Sequence, residues 1–443
     1  MSAALDDLFR FLSFPSISAD SAYRQPLREC ADWLVAKLNA IGLEAELCPT
    51  AGHPVVVARN RPVPGKPTVL LYGHYDVQPV DPLSLWTRPP FEPWVADGVV
   101  TARGAADNKG QILAHILGIE AALKRDGALP VNLRLVIEGE EEIGSPSLAA
   151  FLESRKADLA CDIVVISDSP MVAPGVPTFT YGLRGVAAME LHATGPAKDL
   201  HSGMYGGAVA NPVTALARLV ASLHQADGRV AIPGFYDGIP PLEAWEREAW
   251  AALPLNEASL LAMTGAPALD GEAGFSPVER IWGRPTAEVN GFYGGYQGEG
   301  SKTVLPKEAY AKLTFRLVPG QTAADILAKA ARHLRAQCPP SIRLEIAPGH
   351  SGEAYLMSPR SGWGEKAQAA LRETFPSSPV ALIREGGSIP IVSDFRGILG
   401  ADTLLLGLCL PDCNAHAPNE TFPVANLEAG IALNQALLRH LAA

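Results

Sequence analysis

At 443 residues the chain is too long for one small hydrophobic core, so two domains are the natural expectation. Its composition, 48% hydrophobic and 19% charged, is globular, and the formal net charge of -11 excludes the clustered positive surface that nucleic acid or an acidic membrane demands. No apolar run approaches a membrane span, and Asp6 and Asp7 stand where a signal peptide would be basic and then apolar. Cys30, Cys48, Cys161, Cys338, Cys409 and Cys413 form no C-x-x-C pair and no disulfide-like framework. A soluble, cytoplasmic protein with reduced thiols is expected.

Along the chain, Leu27, Cys30, Leu34, Leu38 and Ile41 recur at helical spacing, predicting a helix over 26–41 that stops at Gly42. Strands are expected at 44–48, 55–59 and 68–72. The last delivers Gly73-His74-Tyr75-Asp76 at its carboxyl end, where side-chain alternation puts His74 and Asp76 on one face. Pro79, Pro82, Pro89, Pro90 and Pro93 break the next stretch into a loop. A short strand at 99–103 leads to Arg-Gly-Ala-Ala-Asp-Asn-Lys-Gly (103–110), which opens a helix over 111–123. A buried strand at 131–138 ends in an acidic turn, Glu140-Glu141-Glu142. The helix after it is expected to begin at Pro146 with Ser145 as its cap. A further strand at 162–167 meets Asp168. Apolar strands alternating with helices indicate a mostly parallel sheet covered on both faces.

The pattern changes after Arg184. A strand at 186–194 alternates like an exposed edge, and Asn211-Pro212 starts a helix to about Leu223. An irregular insertion at 227–284 follows, then strands at 287–292 and 310–317, a helix at 323–337 and a strand at 342–347. That βαββαβ order is the split pattern of a ferredoxin-like α+β domain. Beyond about Tyr355 the first pattern returns: helix 364–374, strand 380–384, a glycine turn, strand 403–408 and a last helix at 426–441. A catalytic α/β domain, 1–184 and 355–443, is thus interrupted by an inserted domain at 185–354.

His74, Asp107, the Glu140–Glu142 turn, Asp168 and His416 each lie at or just after a strand end or at a helix start. In a doubly wound sheet, carboxyl ends of strands line one edge, and ligands bind there. Nitrogen and oxygen ligands without a thiolate suit zinc, manganese or cobalt. A carboxylate bridging two such ions holds them about 3.5–4 Å apart and allows them to generate hydroxide. Arg316 sits in a strand with Leu313, Phe315, Leu317 and Val318, where a guanidinium needs a partner: a substrate carboxylate or a structural ion pair. Gly386-Gly387 before Ser388 makes either a tight turn or a backbone approach to an anion. His53, His115, His192, His224, His333, His350 and His440 have no such surroundings and are taken as structural or surface residues.

Gly-His-Tyr-Asp-Val-Gln-Pro (73–79), the 103–110 segment, Glu-Gly-Glu-Glu-Glu-Ile-Gly-Ser (138–145), Ile-Ser-Asp (166–168), Asp-Leu-His-Ser-Gly-Met-Tyr-Gly-Gly (199–207) and Asn-Ala-His-Ala-Pro-Asn-Glu (414–420) resemble the M20 family of di-metal peptidases. The likeness is greatest to its carnosinase-like and cytosolic nonspecific dipeptidase branch and covers the chain in order. It implies two divalent metal ions per subunit, with Asp107 bridging both. His74 and Asp168 would complete one site, Glu142 and His416 the other. It implies further that Asp76 orients the His74 ring. Glu141 would be the general base for a metal-bound hydroxide attacking small peptides. Thr303, Arg316 and Ser388 would contact substrate, and the inserted domain would serve as lid and dimerisation domain. His201, in that domain, would stabilise the oxyanion in the active site of the partner in a homodimer. An aspartate at position 168 steers toward dipeptidase. The alternatives are an N-acyl- or N-carbamoyl-amino-acid amidohydrolase and a catalytically silent scaffold, the latter disfavoured because all five ligands and Glu141 are present. Ligation needs neutral His74 and His416, so acid is expected to strip the metals.

Overall fold

The computed structural model describes residues 3–387 and 389–443, which form two compact units. The first runs to Tyr181 and takes in Met357–Ile383 and Ile391–Ala443; the second is Gly182–Leu356 with Arg384–Pro390.

In the first unit the sheet runs in the order Glu44–Cys48, Val55–Arg59, Asn132–Glu138, Thr68–His74, Ile163–Ile166, Asp402–Leu405, Thr178–Leu183. Parallel pairing fills its middle: Thr68–His74 lies between Asn132–Glu138 and Ile163–Ile166, and Asp402–Leu405 follows Ile163–Ile166. Glu44–Cys48 and Val55–Arg59 on one side and Thr178–Leu183 on the other pair antiparallel with their inner neighbours, and Ala381–Glu385 joins Thr178–Leu183 from outside that order. Successive strand residues face opposite sides, and Val69 through His74 are all buried, so both faces of the sheet are covered. Shaving Leu71, 1% exposed, to alanine is expected to cost about 2–5 kcal/mol.

The helix Lys109–Asp126 is longer than its apolar periodicity suggested and nearly buried on all sides from Lys109 to Ile119. Gly127, at φ 73°, closes it by donating its N–H to the Leu123 carbonyl. It packs on the last helix, Val424–Ala442, closely enough that a Cβ on Gly118 would lie 2.6 Å from the Asn434 Cβ. The Lys109 ammonium is buried and donates to the carbonyls of Phe11 and Phe14, at the end of an N-terminal helix, Ala3–Leu12. Pairing runs two residues further along Thr68–His74 than the apolar run alone, which makes His74 the last strand residue, opposite Glu138.

The second unit holds an antiparallel sheet in the order Thr286–Gly294, Glu308–Leu317, Gly185–Thr194, Arg343–Gly352, the ferredoxin-like arrangement. Ala187, Met189, Leu191 and Ala193 alternate with residues on the other face. They pack with Leu313 and Phe315 beneath Leu216 and Leu219 of Pro212–Ala221 and Ile326, Ala330 and Leu334 of Ala323–Gln337. The Asn211 side chain accepts the N–H groups of Val213 and Thr214, as the Asn-Pro start requires.

Some expectations are corrected. The strand beginning near Val186 is not an edge: Gly185–Thr194 is paired on both sides, and its alternation reflects one helix-covered face. Ser145 does not cap a helix. It sits at φ 50°, its hydroxyl donates to Glu138 Oε1, and the next helix is Leu148–Ser154. The insertion at 227–284 is not irregular throughout, since it carries the helices Ala244–Ala251, Glu257–Thr264 and Pro277–Gly283. Their capping boxes, at Glu243, Asn256 and Ser276, lay in the sequence unread.

Candidate metal centre

Three parallel strands deliver the first unit's polar cluster. Thr68–His74 ends in His74; Asn132–Glu138 leads to the turn Glu141–Ile143; Ile163–Ile166 leads to Asp168. Asp107 sits just before the helix Lys109–Asp126, and His416 lies in the loop after Asp402–Leu405.

Asp107 stands between the two histidines. Its Oδ1 is 3.0 Å from His74 Nε2, and its Oδ2 is 2.8 Å from His416 Nε2. Asp168 Oδ2 lies 3.7 Å from His74 Nε2, and Glu142 Oε2 lies 3.3 Å from His416 Nε2. Two groups, His74–Asp107–Asp168 and Asp107–Glu142–His416, therefore each gather donor atoms within 4.8 Å of one another, with Asp107 common to both. Glu141 Oε2 is 3.9 Å from His74 Nε2.

Asp76, fully buried, faces the other side of the His74 ring: its Oδ1 is 3.3 Å and its carbonyl oxygen 3.1 Å from Nδ1. The same carboxylate accepts the backbone N–H groups of Glu141 at 3.2 Å and Glu142 at 3.1 Å, tying the acidic turn to the strand end. The three acids of that turn differ in surroundings. Glu140 is structural, its oxygens taken by the N–H groups of His53 and Ser147. Glu142 is held by the backbone and side-chain amides of Gln78 at 3.1 and 2.9 Å. Among the described residues, no hydrogen bond reaches the Glu141 carboxylate.

Without a cation this cluster is under electrostatic tension. Burial opposes charge on His74, but its hydrogen bonds to the Asp107 and Asp76 carboxylates and the nearby Asp168 and Glu141 charges outweigh it and hold its pKa well above the usual imidazole value. His416 is raised to about 10 by its hydrogen bonds to Asp107 and Glu142. Burial raises Glu141 to about 7 against the opposing influence of His74, with the Asp107, Glu142 and Asp76 charges adding to the rise. Asp168 is driven well upward, by burial first and then by Asp107. Asp107 itself is lowered: burial would raise it, and the two imidazoles overcome that. Among the described residues, no lysine or arginine nitrogen comes within 4.0 Å of Asp107, Glu141, Glu142 or Asp168. The missing positive charge is what divalent cations supply, and an all-nitrogen-and-oxygen donor set suits them.

Supporting residues outside the predicted set emerge. Asn108 Nδ2 donates to Asp168 Oδ1 at 2.9 Å and to the Ser167 carbonyl at 2.6 Å. Gln78 holds Glu142, and Glu420 is described below. All three lay inside segments already singled out (73–79, 103–110, 414–420), so their signal was membership of a motif rather than a ligand-type side chain.

The predicted substrate residues lie in the second unit, apart from Ser388, which falls outside the described residues. His201 and Thr303 are neighbours. The pair Leu200–His201 runs antiparallel to Val304–Leu305, and the Ser202 N–H donates to the Thr303 carbonyl at 3.0 Å. The exposed His201 accepts the Gly203 N–H on Nδ1. Half-buried Arg316 is opposite Thr286 on one side and Val186 on the other, and lines a cavity of about 620 Å³ with Arg184, Arg280, Arg284 and Glu288. Arg284 is paired with Glu272 through two 2.7 Å hydrogen bonds. The Arg184 guanidinium donates to the Gly386 and Arg284 carbonyls, and burial together with Arg316 lowers its pKa to about 10.

The sequence signature of peptidase family M20/M25/M40 matches residues 70–440. The chain is 31% identical over 442 residues to the Cys-Gly metallodipeptidase of Schizosaccharomyces pombe, covering 96% of this chain and 93% of that one. It is 30% identical to the Beta-Ala-His dipeptidase of Homo sapiens over 88% of this chain and 78% of that one. Among solved structures, an M20 family metallo-carboxypeptidase from Sulfolobus solfataricus superposes with a TM-score of 0.87, at 33% identity and over 100% of both chains. Human carnosine dipeptidase 1 superposes with a TM-score of 0.81 at 28% identity, covering 99% of this chain and 96% of that one.

Proposed function

The chain belongs to peptidase family M20/M25/M40 and is a metal-dependent hydrolase; from that premise we propose that it is a dipeptidase acting on small peptides with a free C-terminal carboxylate. What supports this most is the placing of Asp107, whose two oxygens face two different histidines beside Glu141. In this reading His74, Asp107 and Asp168 hold one divalent ion, and Asp107, Glu142 and His416 hold a second. Zinc is the first choice, with manganese and cobalt equally compatible in donor type. Bound there, such ions supply Lewis acidity and lower the pKa of water toward neutrality.

The chain's own residues do the rest. Glu141 takes a proton from the water that attacks the scissile carbonyl and returns it to the departing amine nitrogen as the C–N bond breaks. Asp76 keeps the His74 ring oriented and fixes the turn that carries Glu141 and Glu142. Arg316 orients the peptide by its terminal carboxylate, with Thr303 and Ser388 as further substrate contacts. The inserted unit acts as lid and dimerisation domain, and His201 serves the partner's site in a homodimer. Six thiols, none in a disulfide, accord with a cytoplasmic location, and no helix among the described residues is long and apolar enough to cross a membrane.

One observation favours a second reading, release of a C-terminal residue from longer peptides: the Sulfolobus solfataricus structure similar over the whole chain is that of a metallo-carboxypeptidase. Both readings need the free carboxylate. A hydrolysis screen with zinc, manganese or cobalt separates them, using Cys-Gly, Beta-Ala-His and other dipeptides, longer peptides, and N-acetyl and N-carbamoyl amino acids. Turnover of dipeptides above the rest is expected. Preference for longer peptides would select the carboxypeptidase, and turnover of N-acyl or N-carbamoyl amino acids alone would replace peptidase by amidohydrolase.

A further inference from the structure

Glu420, four residues after His416, is completely buried, and its carboxylate is saturated by one loop. Oε1 accepts the backbone N–H of Ala106 at 2.8 Å and of Asp107 at 3.0 Å. Oε2 accepts the N–H of Gly104 and Arg103 Nη1, both at 2.8 Å. The Glu420 carbonyl also receives the Ala102 N–H, and the strand Thr421–Pro423 pairs with Val99–Thr101. Gly104 takes φ 83°, and the turn it allows aims the amides of 104, 106 and 107 at one point, a concave anion cradle filled by a side chain of the same chain.

We propose that Glu420 is a positioning residue: it locks the 103–107 loop to the loop carrying His416, so that the Asp107 oxygens address both histidines at once. Metal affinity is then set partly from outside the ligand set. The inference rests on the reading of Asp107 as the shared ligand. The obvious alternative is that Glu420 serves only to neutralise buried Arg103. Arg103 has other support, however, from the Pro79 carbonyl and the Trp86 ring 5.2 Å away. It accounts for one of the four hydrogen bonds; three come from backbone amides, one of them that of Asp107 itself. A carboxylate can accept from all four donors, whereas a glutamine must turn an NH2 group toward some of them.

The test compares Glu420→Gln, Arg103→Met and Asp107→Asn in the full chain. The readouts are zinc and manganese affinity by chelator competition, metal stoichiometry, kcat and KM at saturating metal, and thermal stability of the metal-free protein. Glu420→Gln is expected to weaken metal binding about 10–100-fold and to lower kcat while KM stays near the parental value. Arg103→Met is expected to lower stability and leave metal affinity unchanged. Parental metal affinity in Glu420→Gln, with only the melting temperature reduced, would overturn the proposal. So would an equal loss of affinity in Arg103→Met. Should Glu420→Gln not fold, Glu420→Asp decides: it keeps the charge but shortens the reach, and weakened metal binding supports the proposal where parental binding overturns it. Asp107→Asn tests the shared-ligand reading by itself, since retention of two ions there would reject that reading whatever Glu420 does.

Discussion

The acidic turn offers a sharp test, because adjacent glutamates are assigned opposite duties. Glu141 carries no hydrogen bond on its carboxylate among the described residues and is raised to about 7 chiefly by burial. Glu142 is gripped by Gln78 and faces His416 at 3.3 Å. Glu141→Gln keeps the shape and disturbs no partner, so both metals should remain and stability should hold. It cannot accept a proton, and kcat should fall about 10²–10⁴-fold, equivalent to about 2.7–5.5 kcal/mol of barrier. Glu142→Gln instead sets an NH2 group against the Gln78 donors or against the ligand position beside His416. A buried donor left without an acceptor costs about 1–3 kcal/mol, to which the loss of a ligand charge adds. Its deficit should appear as weakened metal binding, recovered in part by excess metal. Metal content by elemental analysis, kcat at saturating metal and the acid limb of the pH–rate profile distinguish the two. The acid limb due to protonation of Glu141 should vanish in Glu141→Gln. Metal loss in Glu141→Gln with metal retained in Glu142→Gln would refute the assignment and place the turn one residue out of register.

Arg316→Ala should abolish the preference for a dipeptide acid over its amide; equal turnover of acid and amide by the parent enzyme would reject a carboxylate role for Arg316. In the metal-free protein His416 stays protonated up to about pH 10, so affinity at its site should rise about tenfold per pH unit from 6 to 9. A plateau in chelator-competition titrations above pH 7 would contradict this. His115, held neutral between Ser167 Oγ and Asn434 Nδ2, is lowered to about 4 by burial. Unfolding therefore takes up a proton between pH 6.5 and 4, and about 3 kcal/mol of stability should be lost as pH falls through that window, read as the denaturation midpoint of metal-free parent against His115→Asn. Finally, His201→Ala and Glu141→Ala should each be nearly inactive, and subunit exchange of equal amounts should restore roughly a quarter of normal activity if sites are shared in a homodimer. No recovery under confirmed exchange would confine His201 to its own subunit.

What was legible in the sequence follows from physical type. Buried parallel strands such as Val69–Tyr72 and Ile163–Ile166 announce themselves as apolar runs, and the residues just past them mark the sheet edge. His74, the Glu140–Glu142 turn and Asp168 were found that way. The ferredoxin-like order came from the same periodicities, and the helix expected at 323–337 is found as Ala323–Gln337, where the Thr322 side chain accepts the Asp325 N–H. The failures also have causes. Ser145 has the right type for a cap, but the hydroxyl is claimed by Glu138, the last residue of the strand before the acidic turn. The alternation at Ala187–Ala193 tells which face is covered and says nothing of how many neighbours a strand has. Glu420, Asn108 and Gln78 were missed as supporting residues because their roles depend on where backbone amides and other side chains converge, which spacing does not encode.

Two buried carboxylates that ligate nothing in this scheme, Asp76 and Glu420, suggest how a site drawn from loops becomes rigid. His74 is fixed by the strand it ends, with Asp168 two residues past another, but Asp107, Glu141, Glu142 and His416 all lie on connecting segments. Loops of that kind ordinarily move more than the elements they join. Here Asp76 gathers the amides of Glu141 and Glu142, while Glu420 gathers those of Gly104, Ala106 and Asp107. In each case a carboxylate inside the protein converts backbone donors into anchors, and charge-assisted hydrogen bonds are the stronger class. Each anchor also adds negative charge beneath the ligand shell, and that strengthens the demand for cations above it. Rigidity and metal affinity therefore come from the same groups, which is why substitutions at Asp76 or Glu420 should disturb both together, whereas Glu141, its carboxylate without such bonds among the described residues, can be changed for its chemistry alone.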